Sequence, residues 1–302
     1  MSAGLDWDKL KTFHAAAEAG SLTGAAERLA LSQSAVSRQI SGLEAELDVK
    51  LFHRHARGLL LTEPGRLLFD ASEDISRRIM RAESQVQDSR NEPSGVLRVT
   101  APASLGAIWI APRLKRFRQA FPRIQLRLLL ADHELDMANL EADIAVRPWP
   151  STQNDLIQRK LMDVDQHLYA SPDYFARRGE PKTIEALNED HDFLAYGPRS
   201  LAPLPNMNWA LTAGLADGAP KRAPVVEVNT INGLAKAAEA GLGLVGLPDY
   251  AAANNEKLMR ILPELDGPKL EVFVVYPDEL KGSRRVGAFL EFLVEEARRW
   301  RE

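Results

Sequence analysis

The chain has 302 residues, 45% of them hydrophobic and 26% charged, and carries a net charge of −4. That is the make-up of a globular protein of two or three domains, with no run approaching the roughly 18 apolar residues that a membrane span requires. The absence of cysteine excludes disulfides, thiolate metal sites and thiol redox sensing. The start, MSAGLDWDKL, has neither a basic n-region nor an apolar h-region, so no secretory signal and a cytoplasmic location are expected.

Leu10, Phe13 and Ala17 have helical spacing, and Gly20 closes that helix. Ser21 is placed to cap a second short helix with Leu22, Ala25, Ala26 and Leu29 inward, and the small residues Gly24 to Ala26 permit close approach of another helix. Ser32 is placed to cap a third, with Val36, Ile40, Leu43 and Leu47 along one face. Between these positions Gln33, Ser34, Ser37 and Arg38 occupy the outward side of the first two turns. Gln can pair with adenine and Arg with guanine through two hydrogen bonds each, and Ser suits either base or phosphate. A hairpin pattern, FHRHARGL, and a new helix start at Thr62 follow. This order is what a winged helix-turn-helix needs to set one helix in a DNA major groove. A solvated helix face would account for Arg38 alone equally well.

Charge is a weak argument against DNA, because residues 1–90 hold 12 Lys/Arg against 13 Asp/Glu, whereas phosphate neutralisation favours a basic surface. Locally, however, Arg38, Lys50, Arg54 and Arg57 are the cations, and the acids Glu44, Glu46 and Asp48 lie at the far end of the third helix.

The string AAERLALSQSAVSRQISGLEAELDVKLFHRHARGLLLTEPG resembles the DNA-binding domain of LysR-type transcriptional regulators. The resemblance rests on Ala25-Ala26, Ser32-Gln33, Ser37-Arg38-Gln39-Ile40, Leu43-Glu44, Leu51-Phe52, Arg54, Leu61-Thr62 and Gly65. Two positions depart from the family pattern: Ser34, where proline is frequent, and Asp48, where glycine is usual. The hairpin string also resembles the VtlR/LsrB-like branch. By position, the resemblance implies that Gln33, Ser34, Ser37 and Arg38 meet the major groove and that Arg54 and Arg57 lie in the wing. There Arg57 would enter a narrow minor groove or clamp phosphate. Thr23 and Ser32 are candidate phosphate partners near helix N-termini. His53 and His55 flank Arg54, two residues apart and with no third ligand nearby, which is poor metal spacing; a polar hairpin tip explains them as well.

Thr62 is placed to cap a long helix, with Pro64 tolerated in its first turn. The helix is expected to run to about Arg90, with Leu68, Ile75 and Ala82 seven apart and Ile79 and Val86 as a second row. Such a seam fits a short coiled coil, and in the resembling family this helix pairs antiparallel with a second subunit. NEPSG at 91–95 marks a break. The expected organisation is a winged helix-turn-helix over 1–62, a linker or dimerisation helix over 63–92 and an effector domain over 96–302. The effector domain would divide into lobe I at about 96–162 and 267–302 and lobe II at about 163–266.

From Val96 onward strands and helices alternate: VLRVTA, a helix around Ile108 to Ala120, IQLRLLLA, DIAVR, then LMDVDQHLYASPDYF, FLAYG, VVEVNT, LVGLP, LEVFVVYP and a helix over 286–300. This order implies a mostly parallel sheet with ligands at the carboxyl ends of its strands, and the resemblance implies a two-lobed, periplasmic-binding-protein-like α/β domain. Ala103, Ser104, Arg147, Tyr196, Arg199, Asn229 and Thr230 follow strands and are candidate ligand residues. Helix capping accounts equally for Ser104, Asn229 and Thr230, and an interlobe acid for Arg147. Gly241-Leu-Gly243-Leu-Val-Gly246 matches a dinucleotide fingerprint, but it follows a helix and precedes a strand, the reverse of the order that converges amides on a pyrophosphate.

No nucleophile elbow, zinc-protease helix or P-loop occurs, and the acidic DHELD at 132–136 reads as an isolated surface cluster. No catalytic residue, cofactor or metal is therefore expected. An enzyme with an appended DNA domain and a transporter's solute-binding protein are the other classes; the second would leave residues 5–90 without a purpose. The expected function is a LysR-type regulator controlled by a small, anionic metabolite. Its expected partners are double-stranded promoter DNA, the inducer, RNA polymerase and its own copies as a dimer of dimers, with no membrane contact and a nucleoid location.

Overall fold

The computed structural model describes residues 6–55, 58–87, 92–135, 137, 141–153, 156–197, 204, 206–252 and 255–301. The chain divides into two compact units, Met1–Glu83 and Ser84–Glu302. No helix among the described residues is long and apolar enough to cross a membrane.

The first unit contains α1 (Trp7–Ala19), α2 (Leu22–Leu29), α3 (Gln33–Leu47), the antiparallel hairpin β1 (Phe52–His55) and β2 (Gly58–Leu61), and most of α4 (Glu63–Gln87). Its helix starts are set by short polar side chains that accept otherwise unpaired backbone amides. Asp6 accepts from Asp8 and Lys9, Ser21 from Gly24, Ser32 from Ala35, and Thr62 from Gly65. Gly20 ends α1 in the left-handed region at φ 63°, whereas α2 and α3 end there on residues with side chains, Ala30 and Asp48, both at φ 52°. Leu10, Phe13, Ala25, Val36, Ile40 and Leu43 form the core with Leu51 and Phe52. Leu47, expected inward, is 36% exposed, because the last turn of α3 runs past this core. The buried acid Glu44 lies instead on the inward side of that end.

The second unit begins with β3 (Gly95–Ala101) and a π-helical turn (Leu105–Ile110) that runs into α5 (Ala111–Ala120). The helix therefore starts before Ile108, with residues 103 and 104 already helical. There follow β4 (Ile124–Leu130), β5 (Ile144–Arg147), β6 (Leu156–Val164), β7 (Gln166–Ala170), α6 (Pro172–Arg178), β8 (Leu194–Tyr196), β9 (Val226–Val228), α7 (Ile231–Glu239), β10 (Val245–Pro248), α8 (Asp249–Ala252), β11 (Met259–Ile261), β12 (Leu270–Pro277) and α9 (Arg284–Arg301).

Two lobes result. In lobe I the strand order is β4-β3-β5-β12-β6. Here β3 is parallel to β4 and β5, but β12 is antiparallel to both β5 and β6. β3, β4, β5 and β6 therefore run in one direction and β12 alone runs against them, as it enters the sheet on its return from lobe II, so the lobe I sheet is mostly parallel as expected. Lobe II has an antiparallel sheet of order β10-β7-β11 and a parallel pair β8–β9, linked by a parallel bridge between Phe193 and Leu244. Asp165 alone separates β6 in one sheet from β7 in the other.

In lobe I α5 packs on α9 through Phe117, whose ring meets Phe289 edge-on at 5.0 Å. In the glycine-rich segment Gly241 takes φ 78° just past α7, and a Cβ on Gly246 in β10 would come within 2.7 Å of the Trp209 indole. These glycines serve a helix end and close packing, the order opposite to a dinucleotide loop.

Candidate nucleic-acid interface and interlobe cleft

On α3, Val36, Ile40 and Leu43 are buried, so the positions between them turn outward: Gln33, Ser34 and Arg38 are exposed and Ser37 is half-buried. Ser32 serves first as the cap, accepting the Ala35 amide at 3.2 Å, and its hydroxyl lies 3.0 Å from that of Ser34. Thr23 is exposed in the first turn of α2. Arg54 stands in β1 opposite Leu59, with its side chain outside the described residues; Arg57 lies outside them altogether. The rings of His53 and His55 lie 6.3 Å apart. Among the described residues no group of three or more His, Cys, Asp or Glu is placed to hold a metal.

The hairpin is tied to the helices at both ends. Leu59 donates its amide to the Gly20 carbonyl at 2.8 Å, and a Cβ on Gly58 would come within 2.6 Å of that oxygen. At the other end Thr62 donates its hydroxyl to the Lys50 carbonyl at 2.7 Å and accepts the Gly65 amide at 3.0 Å. A Cβ on Gly65 would lie 2.0 Å from the Leu51 carbonyl oxygen. That contact is the physical reason for the spacing of Thr62 and Gly65.

Glu44, the acid of the Leu43-Glu44 pair, completes this framework in a role that no local sequence signal marks. Its buried carboxylate accepts the Leu51 amide at 2.9 Å and the Phe52 amide at 3.4 Å, and pairs with Lys50 at 2.8 Å. Burial pushes this carboxyl up, but the Lys50 ammonium and the two amides outweigh burial and hold it below the ordinary glutamate range. Position alone could not show that α3 and the hairpin share a carboxylate.

Along α4, Ile75 and Ile79 are 38% and 39% exposed and Ala82 is exposed. Leu67, not among the expected seam residues, is the most exposed at 71%. Leu68 differs from the others: it packs, with Phe69, on the core of the first unit. The side chain of Val86 lies outside the described residues.

In the second unit the described ligand candidates follow strands, and several of their polar groups have partners within the chain. The Ala103 amide donates to Asp132 Oδ1 at 2.9 Å, and the buried Ser104 hydroxyl accepts the Asn232 amide of α7 at 3.0 Å. Thr230 caps α7 by accepting the Gly233 amide at 3.1 Å, while Asn229 is exposed before it. Arg147, 3% exposed, pairs with Glu134 at 2.6 Å beside the Trp149 ring. Burial lowers its guanidinium's affinity for a proton and Glu134 opposes that shift. Tyr196 is buried, and its backbone is held at both N and O by the Asn208 carboxamide. Arg199 lies outside the described residues.

The acidic cluster at 132–136 is therefore no isolated surface feature: Asp132 holds the turn after β3 and Glu134 holds Arg147. Next to the Ser104–Asn232 contact, a groove of about 470 Å³ is lined by Ile108 of lobe I and by Asn232, Ala235, Lys236, Tyr250 and Asn255 of lobe II.

Two family models match this architecture. Residues 7–66 match the model described as "Bacterial regulatory helix-turn-helix protein, lysR family", and residues 90–298 match "LysR substrate binding domain". An HTH-type transcriptional regulator of Xanthomonas campestris pv. campestris is 34% identical over 92% of this chain and 81% of its own length. The regulator CrgA of Neisseria meningitidis is 32% identical over 96% of both chains. The solved CrgA structure superposes with a TM-score of 0.60 over 97% of this chain and 99% of that one, at 30% identity. Full-length CbnR, solved in complex with its target DNA, shares the fold at a TM-score of 0.66, 20% identity and coverage of 97% and 100%. These matches establish the family and not a branch within it. With a helix-turn-helix unit, a two-lobed substrate-binding-like unit and relatives that are transcriptional regulators along nearly its whole length, the chain belongs to the LysR family of DNA-binding transcriptional regulators.

Proposed function

We propose that Gln33, Ser34, Ser37 and Arg38 read promoter bases from the major groove, while Thr23, Ser32, Arg54 and Arg57 engage phosphate or the adjacent minor groove. The observation that carries this reading is the division of α3: Val36 and Ile40 are sealed in the core, so the first two turns present Gln33, Ser34 and Arg38 outward together. Bidentate pairing of glutamine and arginine with base edges supplies the chemistry. CbnR, of the same fold, binds its target DNA, which supports the same use here. The exposed apolar row Ile75, Ile79 and Ala82 on α4 supports pairing with a second copy, a seam to which Val86 is assigned by its spacing in the sequence alone. Leu68 belongs more to the core of its own unit.

A small metabolite held between the two lobes is the proposed control. The ligand-sized groove beside the Ser104–Asn232 contact supports it. Such a ligand acts by binding one lobe arrangement more tightly than another, and a dimer of dimers would carry that bias to bent promoter DNA and RNA polymerase. Of the groups expected to hold an anionic ligand, the Ala103 amide donates to Asp132, while the Ser104 and Thr230 hydroxyls accept amides of α7.

Footprinting upstream of the protein's own gene, extended to genome-wide binding, tests the DNA reading. Arg38→Ala is expected to weaken the protected site by about 1–3 kcal/mol while leaving the fold intact. Equal protection by both proteins would remove Arg38 from the base-reading set.

A further inference from the structure

Helix α4 is joined to the rest of the first unit by a polar contact two turns beyond its start. We propose that His14 of α1 is a positioning residue: its hydrogen bond to Ser72 sets the angle at which α4 leaves the helix-turn-helix, and thereby the separation of the two α3 helices in a dimer. The proposal rests on the reading of α4 as the pairing helix and of α3 as the base-reading helix, and it specifies what fixes the spacing between half-sites.

The bond has a defined direction. Ser72, 2% exposed, lies on the side of α4 that also carries Leu68 and Phe69. Its hydroxyl donates to the Phe69 carbonyl at 2.8 Å, and a hydroxyl has one proton to give. The same oxygen lies 3.0 Å from Nδ1 of His14, so it accepts there, and His14 carries a proton on Nδ1. The imidazole lies almost flat against the Phe69 ring, with centroids 5.3 Å apart and planes 15° from parallel. Nε2 of the same ring lies 3.9 Å from Glu18, which pairs with Arg28 of α2 at 2.8 Å. The contact thus runs from α4 through α1 to the first helix of the turn that leads into α3.

Position along α4 gives this bond its leverage. At the start of the helix Gly65 is pressed against the Leu51 carbonyl, and Thr62 is bonded to Lys50 and Gly65. A helix held at one end only is free to pivot. Ser72 stands two turns beyond Gly65, about 10 Å along the axis and on the same side of the helix. Leu68 and Phe69 pack on the core between these two points, but apolar packing is non-directional, whereas a hydrogen bond weakens steeply off its axis. The 25 residues of α4 span roughly 37 Å. A tilt of about 10° at the base moves the far end by about 6 Å, nearly two base-pair steps of DNA. The exposed row Ile75, Ile79 and Ala82 lies beyond Ser72, so a second copy paired there doubles the effect of any tilt.

The test uses the full-length protein. Because the chain has no cysteine, Ser41→Cys, at an exposed position of α3, takes one spin label per chain, and pulsed electron paramagnetic resonance reads the distance between labels on paired chains. One narrow distance distribution is expected when His14 is intact. His14→Phe keeps a ring against Phe69 and loses the donor, and Ser72→Ala loses the acceptor; both are expected to broaden the distribution. His14→Asn, whose amide nitrogen takes the place of Nδ1, is expected to keep it narrow. The unlabelled proteins are then compared on duplexes selected from random DNA by the wild type, with the recovered half-sites moved apart in single base-pair steps. The preference for the best spacing over its neighbour should fall about fivefold in His14→Phe and Ser72→Ala, the equivalent of about 1 kcal/mol, while affinity for a single half-site stays unchanged. An unaltered distance distribution in both variants, or equal losses at the single half-site and at every spacing, would overturn the proposal. His14→Asn behaving like His14→Phe would assign the effect to ring packing and overturn it as well. Absence of any distance between labels would remove the pairing of α4 and the proposal with it. Distances that behave as expected, in a protein that selects no DNA, would sink the base-reading role of α3 and leave the positioning of α4 standing.

Discussion

The hydroxyl of Ser104 accepts the backbone amide of Asn232 at 3.0 Å, so a side chain of lobe I satisfies the first turn of a helix in lobe II. α7 therefore has two caps, its own Thr230 for Gly233 and a borrowed one for Asn232. The contact exists only when the lobes are together, which makes it a direct reporter of closure.

Ser104→Ala is expected to leave the Asn232 amide unpaired at a cost of about 1 kcal/mol. Hydrogen exchange at that amide should then quicken by about fivefold, the equivalent of that energy, while exchange in the first unit stays unchanged. An Asn232 amide that exchanges at the wild-type rate would show that Ser104 does not hold the lobes.

Glu44 binds the end of α3 to the first amides of the hairpin, so Glu44→Gln should lower the stability of the first unit by about 1–2 kcal/mol, the scale of a buried hydrogen bond to a charged acceptor. The pH dependence has a definite sign. The folded carboxyl lies below its ordinary range, so its stabilisation is complete above the unfolded value of about 4.3 and is lost as pH falls through the folded value. The gap between wild type and Glu44→Gln should thus be widest near neutrality and narrow in acid. Denaturant melts at neutral and acidic pH decide it, and a gap that widened in acid would contradict the assignment. Lys50 is largely exposed, so Lys50→Ala should matter far less.

Ala30 and Asp48 end their helices in the left-handed region, at φ 52° each. That region costs a residue with a Cβ roughly 1–2 kcal/mol, partly offset on substitution by the larger entropy glycine loses on folding. Ala30→Gly is expected to stabilise by about 0.5–1 kcal/mol, and Asp48→Gly by less, because aspartate tolerates this conformation better than alanine. Urea midpoints of the two variants, which share one surrounding fold, measure the difference directly. A larger gain at Asp48 than at Ala30 would mean that the aspartate is strained by something besides its backbone.

What could be read before folding depended on how far each residue's partner lies along the chain. The caps Ser21, Ser32, Thr62 and Thr230 each bond an amide three residues ahead, and their positions announced them. Gly20 and the glycines after α7 were legible for the same reason: they serve conformations local to themselves. Glu44, Asp132 and Glu134 find partners 7, 29 and 13 positions away, and nothing in their immediate neighbours shows those pairings. The acidic 132–136 cluster accordingly looks like surface in the sequence, and the bonds of Ser104 to Asn232 and of Arg147 to Glu134 are equally hidden there. Leu68 had the right heptad position for a seam, but a seven-residue period cannot tell a neighbouring subunit from the chain's own core.

The bond from Leu59 to Gly20, with no room for a Cβ at Gly58, joins the hairpin to the turn between α1 and α2, and Glu44 joins its other strand to α3. Hairpin and helices thus move as one piece, like the fixed jaws of a gauge. On the proposed docking, a duplex would meet both jaws at a single separation and would take up any misfit itself. Sites whose base steps bend or narrow easily will be favoured at positions that no side chain touches.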